Sequence, residues 1–241
     1  MTCEEEILKA HILKLDRSWI ITHPEHELSA TEQKKYDALL HRFQNSEPLP
    51  YILGYKEFYG RKFTVNKHTL IPRPESELII DIVKNISKKM KHPLIIDVGT
   101  GSGCLAITTS LEIPHANVVA TDISEKAIEI AKENATRLQT NLHFYSGNLL
   151  EPINTLPSKS TESLVSQKDI IVMANLPYIP TDEWKTLEPH VKKHEPQTAL
   201  DGGRDGLDFY RELFTQIPNK KFHILCEIMP DQGEAFSNII P

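Results

Sequence analysis

Four consecutive residues, Asn175-Leu176-Pro177-Tyr178, stand directly after the apolar run Asp169-Ile170-Ile171-Val172-Met173-Ala174. The run reads as a buried strand, and ligands bind at the carboxyl ends of such strands in open α/β sheets. The chemistry these residues suit is transfer of a group onto a planar nitrogen. Such a nitrogen is a poor nucleophile because its lone pair is delocalised. Acceptors placed on both of its N–H protons fix it, aim it and stabilise the charge that grows as a new bond forms. The Asn175 side-chain oxygen supplies one acceptor, the Leu176 main-chain carbonyl the other, and Tyr178 a flat face for stacking. Pro177 restricts Leu176 to extended conformations. Asn and Pro are also ordinary turn residues, so the tetrapeptide alone equally describes a strand-ending turn.

A second cluster narrows the choice. Asp97-Val98-Gly99-Thr100-Gly101-Ser102-Gly103 follows the apolar run Leu94–Val98 and opens a helix. Glycines let a ligand approach the backbone, and the helix start offers N–H donors. Asp122 ends the next strand, where a carboxylate can accept both ribose hydroxyl protons. The spacing is G-x-G-x-G rather than the dinucleotide G-x-G-x-x-G, which suits a ligand without a pyrophosphate. Ile123 then offers an apolar surface to an adenine ring. Taken with the tetrapeptide, the pattern predicts S-adenosylmethionine as the donor of a methyl group to a planar amino or amide nitrogen.

These residues need a frame to bring them together. Strands are expected at 94–98, 117–121, 142–146, 169–174 and 222–228, alternating with helices at 77–89, 104–111, 125–137, 207–217 and 231–239. That alternation predicts a parallel sheet covered on both faces. Upstream, residues 4–15 read as a helix, and a second begins at Ser29, where Ser29 and Glu32 form a capping box. Its Tyr36, Leu39, Leu40 and Phe43 share one face and are expected to be core. The stretch 45–50 ends that helix, and two strands near 55–58 and 62–65 turn at Gly60. The polar segment 157–168 is expected to be a solvated loop.

The composition fits this plan. The chain has 241 residues, 39% hydrophobic and 25% charged, enough for one α/β domain and a small accessory module. Its net charge of −6 argues against phosphate-dominated nucleic-acid binding. Cys3, Cys104 and Cys226 form no pair by spacing, and no apolar run reaches membrane-spanning length. The acidic start lacks a signal core. A cytoplasmic monomer without membrane contact is expected. His190 and His194 have metal-ligand spacing, but no Cys or acidic partner completes a set, so no metal is expected. Cys104 reads as a packing residue, and Arg73 as either a ligand contact or the partner of Glu75 or Glu77.

From about Ser29 to Gln232 the chain resembles the HemK/PrmC family of release-factor glutamine methyltransferases. The carriers are Gly54-Tyr55-Lys56-Glu57-Phe58-Tyr59-Gly60, Leu70-Ile71-Pro72-Arg73-Pro74-Glu75, Asp97 to Gly103, Asn175 to Tyr178, Glu195-Pro196, Ala199 to Gly203 and Asp205-Gly206-Leu207. The resemblance implies a Rossmann-like class I methyltransferase fold and S-adenosyl-L-methionine as cofactor. It implies methylation of the side-chain N5 of the glutamine in the Gly-Gly-Gln motif of peptide-chain release factors. Residues 1–50 would then be a substrate-docking module, 51–75 a hairpin linker and 76–241 the methyltransferase domain.

Three departures stand out. Leu176 replaces the family's first proline, which a main-chain acceptor tolerates. Asn148-Leu149 stand where the family has an acidic residue and an aromatic, so the adenine site is expected to use the Asn148 amide and Leu149 packing. The family's first N-terminal helices and its final antiparallel hairpin are expected to be missing, leaving strand 222–228 as an apolar edge. Other readings stay open on the sequence. An adenine N6-methyltransferase uses the same tetrapeptide but needs a basic channel, and charges in 1–65 nearly balance. A glutamine methyltransferase for a ribosomal protein and a non-catalytic binding protein on the same scaffold complete the set.

Overall fold

Two apolar runs, Leu94–Val98 and Ile170–Ala174, are buried at every position. Side chains of a strand alternate between faces, so such runs must be covered on both sides. The structure, a computed structural model, shows this and describes residues 2–157, 159–160, 162–164, 167–218 and 222–241. In chain order the elements are α1 (Cys3–Leu13), α2 (Arg17–Thr22), α3 (Ala30–Gln44), α4 (Leu49–Leu53), β1 (Tyr55–Phe58), β2 (Arg61–Thr64) and α5 (Glu77–Ser87). Then follow β3 (Leu94–Val98), α6 (Cys104–Glu112), β4 (Asn117–Asp122), α7 (Glu125–Arg137), β5 (His143–Ser146), α8 (Glu151–Asn154) and β6 (Ile170–Ala174). The last are α9 (Thr181–Trp184), α10 (Pro189–His194), α11 (Asp208–Gln216), β7 (His223–Cys226) and α12 (Gly233–Ser237).

Five parallel strands are ordered β5-β4-β3-β6-β7. Register aligns their carboxyl ends: Val98 lies beside Thr121 and Ala174, and Ala174 beside Cys226. The chain winds outward from β3 in both directions, so the crevice lies beyond β3, between the β4 and β6 sides. On one face Leu94, Ile96, Val172 and Ala174 pack with Leu213 and Phe214 of α11. On the other, Ile95, Ile171 and Met173 pack with Ile80 and Val83 of α5 and Ile107 of α6.

The hairpin β1–β2 does more than link. Phe58 and Phe63 are buried in the second core. Asn134 of α7, fully buried, bonds both main-chain groups of Thr64 and the carbonyl of Ser102, tying the hairpin to the glycine loop.

The upstream helices differ from expectation in two ways. Helices α2 and α4 are too short to show a period, and Pro50 sits in the first turn of α4, where its missing N–H costs nothing. The Ser29–Glu32 capping box is present, but α3 has no buried residue, and Tyr36, Leu39, Leu40 and Phe43 are half-buried. A few short helices enclose too little volume to cover such a stripe.

The expected loop 157–168 is also corrected, apart from residues 158, 161, 165 and 166, which lie outside the described residues. Leu164 is buried in the first core, and the buried Glu162 carboxylate is satisfied by His143 and the Tyr145 hydroxyl of β5. Strand β7 is shorter than expected and lies at the sheet edge, its Ile224 and Leu225 half-covered by the two cores. Among the described residues no helix is long and apolar enough to cross a membrane.

Candidate active site

The glycine loop sits at the carboxyl end of β3. Gly99, Gly101 and Gly103 all have positive φ. At Gly103 a Cβ would meet Ile107 at 2.9 Å and Ala131 at 3.1 Å, so the loop packs directly onto α6 and α7. The loop's donors are largely committed within the protein. The N–H groups of Gly99 and Thr100 bond the Thr121 carbonyl, Gly103 bonds Thr100, and Gly101 bonds Asp122 at 2.8 Å. The loop therefore provides close approach rather than an anion nest, a refinement of the sequence reading. Asp97 is 1% exposed and accepts from Thr100 Oγ1 at 2.6 Å and the Ala106 N–H, both on one oxygen. Burial pushes its carboxyl up to about 6.

Asp122 ends β4 and is held by two main-chain donors, Gly101 N on one oxygen and Ser124 N on the other. Each oxygen keeps a lone pair for a hydroxyl of a ligand. Burial raises this carboxyl as well. Beside it, Ile123 is 69% exposed at the rim of a cleft. Gly99, Gly101, Asp122, Ile123, Asn148, Leu149, Asn175, Leu176 and Pro177 all line it. Thr100, Ser102 and Gly103 do not; Thr100 and Ser102 are buried in support of the loop. Asn148 donates to Glu212 at 2.5 Å, which anchors its amide to α11. Among the described residues no Lys or Arg lines the cleft, and Asp122 is the only carboxylate that does. A dinucleotide's phosphates would find no counter-charge there, whereas a nucleoside with a cationic substituent would.

A second cleft adjoins the first, and Asn175 lines both. Tyr178, Arg73, Leu70, Ile179, Leu187 and Val191 line the second. Asn175 Nδ2 donates to Ser76 Oγ at 2.9 Å, which leaves Oδ1 open. The Leu176 N–H is taken by the Tyr210 hydroxyl at 3.3 Å, while no hydrogen bond among the described residues falls on the Leu176 carbonyl. Among the described residues, Asn175 Oδ1 and the Leu176 carbonyl thus accept no hydrogen bond; Asn175 lines both clefts and Leu176 the first. The Tyr178 hydroxyl donates to Glu227 at 3.0 Å, and burial together with that carboxylate pushes its phenol well up, so it stays a donor.

A family model described as the PrmC N-terminal domain matches residues 3–54, and one described as ribosomal protein L11 methyltransferase (PrmA) matches residues 74–193. The release factor glutamine methyltransferase of Bacillus cereus is 39% identical over 241 residues, covering 98% of this chain and 82% of the relative. The chain belongs to the release factor glutamine methyltransferase family. The Bacillus subtilis member is 35% identical, again over 98% of this chain and 81% of the relative. Among solved structures, the hMettl16 catalytic domain in complex with MAT2A 3′UTR hairpin 1 is similar, with a TM-score of 0.55 at 12% identity over 84% of this chain and 80% of that one. At that identity the likeness speaks for the class I methyltransferase fold alone.

Several residues of this family member escaped the sequence reading. Arg73 pairs with neither Glu75 nor Glu77. Its guanidinium meets Glu195 at 2.7 Å, and the other Glu195 oxygen accepts the Ile71 N–H at 3.2 Å. The Pro-Arg-Pro-Glu segment is thus clamped to the Glu195-Pro196 turn far along the chain. Ser76, Glu227, Tyr210 and Gln232 also support the tetrapeptide. Glu227 directly follows β7 at the same sheet edge as the tetrapeptide, and that position was the available signal. Cys104 is a packing residue whose thiol burial pushes up to about 12.

The Arg73 clamp gives a testable asymmetry. The Glu195 side chain is 1% exposed, so Arg73→Ala strands a buried carboxylate and is expected to destabilise by about 2–3 kcal/mol. Adding Glu195→Gln should recover part of that loss in urea unfolding, because it removes the stranded charge.

Proposed function

We propose that the protein transfers the methyl group of S-adenosyl-L-methionine to the side-chain N5 of the glutamine in the Gly-Gly-Gln motif of peptide-chain release factors. The observation that carries the reading is the pair of adjacent acceptors, Asn175 Oδ1 and the Leu176 carbonyl, without hydrogen bonds among the described residues, in a cleft that Asn175 shares with a second one. A primary amide has two N–H protons for those two acceptors. Membership of a family whose relatives bear this activity in their names supports the same substrate.

When bound, the cofactor supplies a sulfonium-activated methyl group. Asp122 would accept its ribose hydroxyls, Ile123 and Leu149 would pack its adenine with the Asn148 amide nearby, and Gly99 and Gly101 would let its remaining atoms lie against the backbone. Asn175 and Leu176 hold the acceptor amide and share the charge that grows on nitrogen. Tyr178, fixed through its hydroxyl, offers its ring to the flat amide. Pro177 sets the extended path that aims the Leu176 carbonyl. The methylated nitrogen is strongly acidic, so its proton leaves without a dedicated base.

In this reading residues 1–50 dock the release factor, 51–75 connect and 76–241 carry the chemistry. The half-buried stripe of α3 is the surface offered to the factor. The protein works as a cytoplasmic monomer without nucleic acid, in keeping with its three free cysteines and net charge of −6.

Replacing Asp122 tests the cofactor half. Asp122→Ala removes the acceptor of two hydroxyls and is expected to raise the S-adenosylmethionine Kd about 100-fold in calorimetry. Labelled methyl transfer tests the acceptor half. Label should enter a release factor and not double-stranded DNA, RNA or ribosomal protein L11; preferential labelling of any of the latter would refute the assignment.

A further inference from the structure

The Asn175 side chain can serve an incoming N–H only if its oxygen, not its nitrogen, faces the acceptor cleft. The two ends of an amide are nearly the same size, so shape does not choose between them; hydrogen bonding must. Asn175 Nδ2 donates to Ser76 Oγ at 2.9 Å. Ser76 Oγ donates in turn to Glu227 Oε2 at 2.6 Å, and the Tyr178 hydroxyl donates to Glu227 Oε1 at 3.0 Å. These residues come from the start of α5 and the ends of β6 and β7, 99 and 151 residues apart along the chain.

The chemistry of the chain gives it a direction. A carboxylate only accepts, and a hydroxyl has one proton. With its proton on Glu227, Ser76 has only lone pairs for Asn175, so the amide must turn its NH2 to Ser76 and its oxygen away. Ser76 is 2% exposed, so solvent cannot take its place. The same carboxylate fixes where the Tyr178 hydroxyl points.

We infer that Glu227, acting through Ser76, is a positioning residue that sets the direction of the Asn175 amide and of Tyr178 for a substrate nitrogen. The inference rests on the proposed role of Asn175. Glu227→Gln keeps shape but adds an NH2 that can donate to Ser76. The Ser76 proton then turns to Asn175 Oδ1, the amide reverses, and a donor faces the substrate's own N–H. The cofactor cleft does not include Ser76 or Glu227, so its affinity should hold.

The test compares wild type, Glu227→Gln, Ser76→Ala and the double variant by release-factor methylation, cofactor calorimetry and NMR of the Asn175 side-chain amide, assigned by its loss in Asn175→Ala. The expected result is a fall in kcat of about 10- to 100-fold in each single variant, the scale for residues that orient a reacting group. KM and cofactor Kd should stay within about threefold, and the double variant should be no worse than the worse single, since both break one chain. The wild-type Asn175 amide protons should exchange slowly and lose that protection in either variant. Unchanged kcat in both single variants, or rapid amide exchange in the wild type, would overturn the relay. If the wild type left the release factor unmethylated, the substrate assignment would fall, and the amide signal would still decide the relay.

Discussion

Asn175→Ala is expected to lower kcat by about 100- to 1,000-fold, or about 3–4 kcal/mol, while leaving S-adenosylmethionine bound. The expected size is that of losing one preorganised partner from a charge-developing site. Asn175 Oδ1 accepts no hydrogen bond among the described residues, and Asn175 lines both clefts. The other proposed cofactor contacts, Asp122 with its two main-chain donors and the glycine loop, do not depend on Asn175. Calorimetry and single-turnover methylation on the same preparation separate the two effects. Weak cofactor binding with unchanged turnover at saturation would reverse the assigned role.

Gly206→Ala is expected to cost about 3 kcal/mol of stability, lower Tm by about 10 °C and remove most methylation. Gly206 has φ +78°, and a Cβ there would lie 2.1 Å from the Tyr178 carbonyl oxygen and 2.3 Å from Gln232 Nε2. Neither neighbour can give way cheaply. Gln232 is buried and bonds the Tyr178 carbonyl at 2.7 Å and that of Asp205 at 3.0 Å, and the Tyr178 carbonyl belongs to the tetrapeptide's own backbone. The methyl group must displace the segment whose path aims the acceptors. Thermal unfolding with the methylation assay checks both halves; a variant with wild-type Tm and turnover would show that this contact does not hold the tetrapeptide.

The sheet was legible because its central strands β3 and β6 are buried on both faces and so appear as continuous apolar runs. The glycine loop and Asp122 were legible because they follow successive strands at the same sheet edge. The positive φ of all three loop glycines agrees with the turn their spacing implied. What stayed hidden was pairing at long range. Arg73 was read as either a ligand contact or the partner of Glu75 or Glu77, yet its ion-pair partner Glu195 lies 122 residues on, brought close by the folding of the 195–203 segment against Ile179. Nothing local marks Ser76 or Glu227 as parts of one hydrogen-bonded chain. Helices α2 and α4 were missed because six and five residues carry no readable period. Burial of Glu162 depended on a hydroxyl and an imidazole from β5, which composition cannot announce.

The central claim is that the acceptor is one glutamine side chain in a release factor. Intact-mass spectrometry of a purified release factor, before and after incubation with this protein and S-adenosylmethionine, tests it most directly when followed by fragmentation. The expected result is the mass gain of a single methyl group in place of hydrogen, located on the glutamine of the Gly-Gly-Gln motif and absent when that glutamine is changed to alanine. A methyl group on any other residue, or an equal gain on the alanine variant, would contradict it.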